Sequence, residues 1–327
     1  MTGVVYKSTG SWYHVKDAQG KLIPCRIKGK FRIEGLTSTN PVAVGDVVEV
    51  TLKDTQDGQE GVITDIQTRK NYIVRKSVNL SKQIHIIAAN IDCAFLLVTL
   101  NNPPTYPAFI DRFLATAEAY EIETVLLFNK EDSYSSSDTE QMRSMIKLYK
   151  NIGYTCLEIS ALKETNLEAV KTMMEDKTCM LSGHSGVGKS TLVNALAPEL
   201  NIKTAEISAQ HQQGQHTTTF AEMHDLDFNA RIVDTPGIRG FGLVNMEAAE
   251  MGDYFREFFS IKDACKFNNC LHLEEPKCAV KAAVEAGEIA ASRYKSYVQM
   301  LAGEDQHYRT DFWDSWEPYY NVYRQPK

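Results

Sequence analysis

Three groups of residues in this chain have types and spacings that could do chemistry. Gly183-His184-Ser185-Gly186-Val187-Gly188-Lys189-Ser190 fits G-x-x-x-x-G-K-[ST] and runs on into Thr191. Glycines let successive backbone N–H groups turn inward around phosphate oxygens, and a following helix adds the positive end of its dipole. Lys189 then neutralises β and γ oxygens, and Ser190 can ligate Mg²⁺. Asn129-Lys130-Glu131-Asp132 matches N-K-x-D. A carboxylate at Asp132 accepts from both N1–H and N2–H₂ of guanine, whereas adenine offers the opposite arrangement, so the base favoured is guanine. Asn129 is expected to tie the loops together and the Lys130 stem to lie over the purine. Ser160-Ala161 resembles the start of an S-A-K element whose backbone N–H meets guanine O6, although Leu162 stands before Lys163.

Asp234-Thr235-Pro236-Gly237 matches D-x-x-G. Asp234 would reach Mg²⁺ through a water, and the Gly237 N–H would contact the γ-phosphate, making this loop a sensor of that phosphate. Upstream, Gly214-Gln215-His216-Thr217-Thr218-Thr219 can supply a threonine hydroxyl to the Mg²⁺ shell, Thr218 being favoured and Thr217 second. Ile238 occupies the place where many GTPases carry a water-positioning Gln, and an aliphatic side chain cannot orient water. His216 is the candidate catalytic group and His211 a rival; the alternative is a loop histidine without a chemical role.

The third group is Cys265-x4-Cys270-x-His272-x5-Cys278. Three thiolates and one imidazole suit tetrahedral Zn²⁺, and four protein ligands leave no open position, so a single structural zinc is expected. Cys25, Cys93, Cys156 and Cys179 stand singly in apolar runs and read as core thiols.

These groups need a scaffold. Residues 1–72 hold short β-rich runs punctuated by Asp17 to Gly20, Asn40-Pro41, Gly45-Asp46 and Asp57-Gly58, the pattern of a small OB-like β-barrel. Arg26, Lys28, Lys30 and Arg32 alternate with Ile27, Gly29 and Phe31, so a strand would project all four cations from one face, toward a phosphate backbone or simply into solvent. The whole chain of 327 residues carries a net charge of −7, yet residues 1–72 are +2 and the remainder −9. Global acidity therefore does not exclude a local nucleic-acid face.

From about residue 90, apolar strands (Cys93 to Leu100, Thr124 to Phe128, Thr155 to Ile159, Thr178 to Leu181, Ala230 to Val233) alternate with helices (Ala108 to Tyr120, Asp138 to Tyr149, Leu167 to Met174, Ser190 to Leu196), predicting an α/β doubly wound domain. From 246 the chain reads as helical around the Cys/His cluster, with Lys281, Arg293 and Lys295 as further candidates for an RNA face and an aromatic tail that stacks on bases or packs on the zinc module. The expected domains are thus 1–72, 73–245 and 246–327. No apolar run approaches the ~18 residues of a membrane span, and no export signal precedes the barrel, so a cytoplasmic setting without membrane partners is expected.

N-K-x-D and S-A precede the phosphate loop here, the reverse of ordinary small GTPases, so the domain is circularly permuted. With the barrel, Val44-Gly45-Asp46-Val47-Val48, the link Arg69 to Ser77, Ala89-Asn90-Ile91-Asp92 and the Cys/His cluster, the chain resembles the RsgA (YjeQ) family of circularly permuted bacterial GTPases. The resemblance spans nearly the whole length. It implies GTP hydrolysis to GDP and phosphate stimulated by the 30S ribosomal subunit late in its maturation, contact of the barrel with 16S rRNA, Mg²⁺ with the nucleotide, and a monomer in the cytoplasm. The competing reading is a GTP-dependent RNA-binding scaffold in which hydrolysis is incidental.

Overall fold

The computed structural model describes residues 1–27, 41–55, 58–76, 84–200, 221–234 and 247–302. Five strands, β1 (Thr2–Ser8), β2 (Tyr13–Asp17), β3 (Leu22–Ile27), β4 (Val47–Thr55) and β5 (Gly58–Ile66), run in the order β1-β2-β3-β5-β4, and a β1–β4 pairing closes the barrel. Alternate residues Val5, Tyr13, Val15, Ile23, Cys25, Val48, Val50 and Ile63 fill it, as the two-residue period of a strand requires. Gly61 leaves room for that filling, since a Cβ there would stand 2.5 Å from Cys25 Sγ.

A hairpin of β6 (Tyr72–Lys76) and β7 (Ile84–Ala89) leads into the α/β domain. There follow β8 (Cys93–Val98), α1 (Pro107–Ala119), β9 (Glu123–Phe128), α2 (Ser136–Asn151), β10 (Thr155–Glu158), α3 (Leu167–Met174), β11 (Thr178–Ser182), α4 (Lys189–Leu196), β12 (Glu222–Leu226) and β13 (Ala230–Asp234). Local chemistry sets several boundaries. Pro107 opens α1 where its missing N–H costs nothing, Ser135 and Asp138 form a reciprocal capping box at α2, and Pro198 follows the end of α4. The sheet order is β10-β9-β8-β11-β13-β12, with β12 antiparallel. Every residue of β8 is buried, as a parallel strand covered on both faces demands.

The barrel is not a separate bead. β1 pairs antiparallel with β12 at Lys7↔Glu222, so the two sheets are continuous. In the link that follows β5, Arg69 forks onto buried Asp46 (2.6 and 2.7 Å) and donates to Pro41 O, while Asn71 both donates to Ile91 O and accepts from Ile91 N.

The C-terminal region carries α5 (Arg256–Phe259), α6 (Ala279–Glu285) and α7 (Ala291–Leu301), with 3₁₀ turns at Met251–Tyr254 and Lys262–Ala264, rather than one helical run. Its core of Phe255, Phe258, Val280, Tyr297 and Met300 includes Ala115 of α1. Arg293 is the point at which the sequence reading needs correction. Instead of facing RNA it is 1% exposed, donating to Asp111 Oδ1 (2.8 Å) on α1 and to both oxygens of Glu257 (2.6 and 3.0 Å). A cation projecting from a module surface in the sequence becomes the fastener between modules once α7 packs on α1. The aromatic tail lies outside the described residues.

Candidate nucleotide and metal sites

The phosphate loop joins β11 to α4. Its glycines take backbone angles that side chains resist, with φ of +138° at Gly183, +87° at Gly186 and +102° at Gly188. A Cβ on Gly188 would lie 2.5 Å from Asn129 Nδ2, so this glycine admits a second loop to close contact. Asn129, 2% exposed, donates to Val187 O (2.8 Å) and accepts from Ala161 N (2.9 Å). One amide therefore locks together the phosphate loop, the N-K-x-D loop and the S-A turn, though the three are far apart in the chain.

Lys189 Nζ donates to the carbonyls of Gly183 and His184 (both 2.7 Å), which holds the ammonium at the loop. Lys130, with φ +69°, donates to Gly186 O (2.8 Å) and Asn102 O (2.6 Å). Burial pulls its pKa below the ordinary value, and the nearby Asp132 carboxylate opposes that shift. Glu131 and Asp132 sit in a 3₁₀ turn after Lys130, Asp132 exposed and Glu131 half-buried. Buried Ser160 donates through Oγ to Asp132 Oδ1 and accepts from Lys163 N (3.0 Å), aligning the carboxylate with the Ala161 turn. Ser185 is exposed, Val187 is buried beneath the loop, and Ser190 and Thr191 occupy the first turn of α4. Asp234 ends β13 in register with Glu222. His216, Thr217, Thr218, Gly237, Ile238 and His211 lie outside the described residues, as do Lys28, Lys30 and Arg32. Arg26 is exposed at the end of β3, its guanidinium 3.9 Å from the Trp12 ring centroid.

Several contributors carried no motif. The segment after β8 supplies Asn102 O to Lys130. Tyr134 Oη donates to Asn129 O (2.6 Å) and accepts from Leu100 N (3.0 Å), and Phe109 of α1 packs its ring 4.0 Å from that of His184. Tyr134, two residues beyond N-K-x-D, is the one whose position could have drawn notice.

At the second site, the donor atoms of Cys265, Cys270, His272 and Cys278 all lie within 4.8 Å of one another. Cys265 Sγ is 3.9 Å from Cys278 Sγ and 3.7 Å from His272 Nδ1, which is 3.3 Å from Cys278 Sγ. Bonds of about 2.3 Å to sulfur and about 2.0 Å to nitrogen in a tetrahedron give edges of roughly 3.5 to 3.8 Å, so the set fits a metal of that size. The surroundings also fit: Ala279 N donates to Cys265 Sγ (3.3 Å) and Lys281 N to Cys278 Sγ (3.4 Å), bonds that favour thiolates. Burial pushes the Cys270 thiol up to about 12, a cost that a divalent cation would offset. Glu275 accepts from Leu271 N and Leu273 N, and the Tyr294 and Tyr297 hydroxyls donate to His272 O and Leu271 O, holding the loop in shape. Cys25, Cys93, Cys156 and Cys179 are buried strand residues away from this cluster, as expected.

A G-x-x-x-x-G-K-S loop and an N-K-x-D loop meeting on one sheet in permuted chain order, behind a five-stranded barrel, define a circularly permuted GTPase. Comparison with known proteins narrows that class. The family model described as RsgA GTPase matches residues 66–244, and that of the RsgA N-terminal domain residues 2–63. The small ribosomal subunit biogenesis GTPase RsgA of Christiangramia forsetii is 62% identical over 311 residues, which cover 95% of this chain and 99% of that one. Its Bacteroides fragilis counterpart is 52% identical, covering 94% and 98%. Among solved structures, YjeQ from Thermotoga maritima aligns with a TM-score of 0.74 at 35% identity (92% and 97% covered), and YloQ, described as a circularly permuted GTPase, with 0.71 at 32% (92% and 94%). The chain belongs to the RsgA family of GTPases.

Proposed function

We propose that this chain hydrolyses GTP to GDP and phosphate on the 30S ribosomal subunit, late in that particle's maturation, and that the subunit stimulates turnover. The observation that carries the reading is the Asn129 bridge between Val187 O and Ala161 N, which brings motifs in reversed chain order together and supports a single guanine-nucleotide site. The names of its relatives, small ribosomal subunit biogenesis GTPases, support the partner.

In this reading Asp132 selects the base, Asn129 holds the three loops in register, and the backbone N–H groups of residues 183–190 with Lys189 bind the phosphates. Ser190, Thr218 and Asp234 would hold Mg²⁺, which when bound supplies positive charge to the β and γ oxygens. Gly237 reads the γ-phosphate, and His216 orients the attacking water once the partner is present. Zinc is the metal assigned to Cys265, Cys270, His272 and Cys278, in a structural role. Arg26, Lys28, Lys30 and Arg32 form the barrel's face toward 16S rRNA. The modules are 1–72, 73–245 and 246–327, and the protein works as a cytoplasmic monomer; no described helix is long and apolar enough to cross a membrane.

The test is GTP turnover with and without purified 30S subunits. Marked stimulation is expected, and His216→Ala should abolish it at unchanged GTP affinity. Equal turnover with and without subunits would refute the reading.

A further inference from the structure

The seam between barrel and GTPase domain lies at a specific place in the nucleotide machinery. Strand β1 alternates between two interiors: Val5 points into the barrel core, while its neighbour Tyr6 packs into the GTPase core with Met223 of β12 and Val233 of β13. On the partner strand, Glu222 is in register with Lys7 of β1 on one side and Asp234 of β13 on the other. Glu222 begins three residues after Thr219, and Asp234 opens D-x-x-G. Among the described residues, β1–β12 is the barrel's only strand pairing with the GTPase sheet, and it falls where both nucleotide-sensing segments join that sheet.

Polar contacts clamp the seam. Lys7 Nζ pairs with Glu222 Oε2 (2.8 Å), Lys16 Nζ pairs with Asp225 Oδ2, and Tyr6 Oη donates to Asp225 Oδ1 (2.6 Å). Both ion pairs are partly exposed, so they add little to global stability, and their directionality is the more telling property. The two strands meet at the register pair Lys7↔Glu222, which these side-chain contacts reinforce, so a displacement of β1 there is passed to the start of β12 and across to the end of β13.

We propose that Tyr6, Lys7, Glu222 and Asp225 are positioning residues for GTP hydrolysis, setting the two sensing segments according to whether the barrel is held by RNA. The inference rests on the reading of the chain as a subunit-stimulated GTPase.

The experiment measures basal and 30S-stimulated turnover, with subunit binding by co-sedimentation, for the full chain and for Tyr6→Phe, Glu222→Lys and the swap Lys7→Glu/Glu222→Lys. Expected are basal turnover and subunit affinity within about twofold of the unmodified protein, stimulation reduced about tenfold in Glu222→Lys, a smaller loss in Tyr6→Phe, and recovery in the swap. A purely structural seam would lower thermal stability without changing the ratio of stimulated to basal rate. Unchanged stimulation in Glu222→Lys, a loss matched by lost subunit binding, or failure of the swap to restore it each overturns the proposal. Should Glu222→Lys not fold, Tyr6→Phe and the swap decide the matter alone. Absence of stimulation in the unmodified protein instead refutes the functional reading.

Discussion

Replacing Arg293 by Met tests how the C-terminal module is fastened to the GTPase domain. The side chain is 1% exposed and Asp111 fully buried, while Glu257 retains 13% exposure and can regain water when its partner leaves. Asp111 cannot. Burial holds its carboxyl above the ordinary range even though Arg293, with the Tyr149 hydroxyl donating to Oδ1 at 2.8 Å, pulls it down. Without the guanidinium the carboxylate would take up a proton. Holding protonated a group whose unfolded pKa is about 3.9 costs about 4 kcal/mol at pH 7 and about 1.5 kcal/mol at pH 5. The sign follows from linkage: an acid raised in the folded state contributes stability that is present below its unfolded pKa and lost as pH rises toward the folded value. Relative to the unmodified protein, Arg293→Met should therefore lose up to about 4 kcal/mol near neutrality, within the range for breaking a buried pair, and recover more than half of its loss at pH 5. Urea denaturation of both proteins at the two pH values measures this, the difference cancelling titrations they share. Adding Asp111→Asn should remove the pH dependence. A penalty equal at both pH values would show that lost packing, not an orphaned carboxylate, is what Arg293 prevents.

Asn129→Ala leaves Val187 O and Ala161 N without partners in a buried setting, a loss of about 2 to 4 kcal/mol; GTP affinity should fall at least thirtyfold by calorimetry, and a change under threefold would show the bridge to be dispensable. Cys270→Ser should reduce bound zinc well below one per chain and lower the melting temperature of the C-terminal module, whereas full folding with negligible zinc in the unmodified protein would refute the metal assignment. Gly45→Ala combines φ +91° with a Cβ only 2.0 Å from Ala89 O, so a loss of about 2 to 4 kcal/mol by thermal denaturation is expected, and a loss below 1 kcal/mol would mean that the hairpin shifts freely.

Much of this molecule is legible from local pattern. The phosphate loop, N-K-x-D and the Cys/His spacing are each chemistry confined to a few neighbouring residues, and the runs around Cys93, Val125 and Ile232 are apolar because parallel strands are buried on both faces. Helix α3 falls where its periodicity places it, since packing there agrees with propensity. Motif order also revealed the permutation, because the pairing of strands in a sheet does not depend on where the chain is cut.

What local pattern could not supply is contact between distant segments. Strand β12, with His224 and Asp225 among its five residues, carries little apolar signal, since it is stabilised by hydrogen bonds to β1 and β13 rather than by its own composition. The continuous sheet therefore emerges only in three dimensions. Arg293 shows the same limit. Its charge is visible in the chain, but Asp111 lies 182 residues away, and whether an arginine meets solvent, RNA or a buried carboxylate depends on which helices pack together.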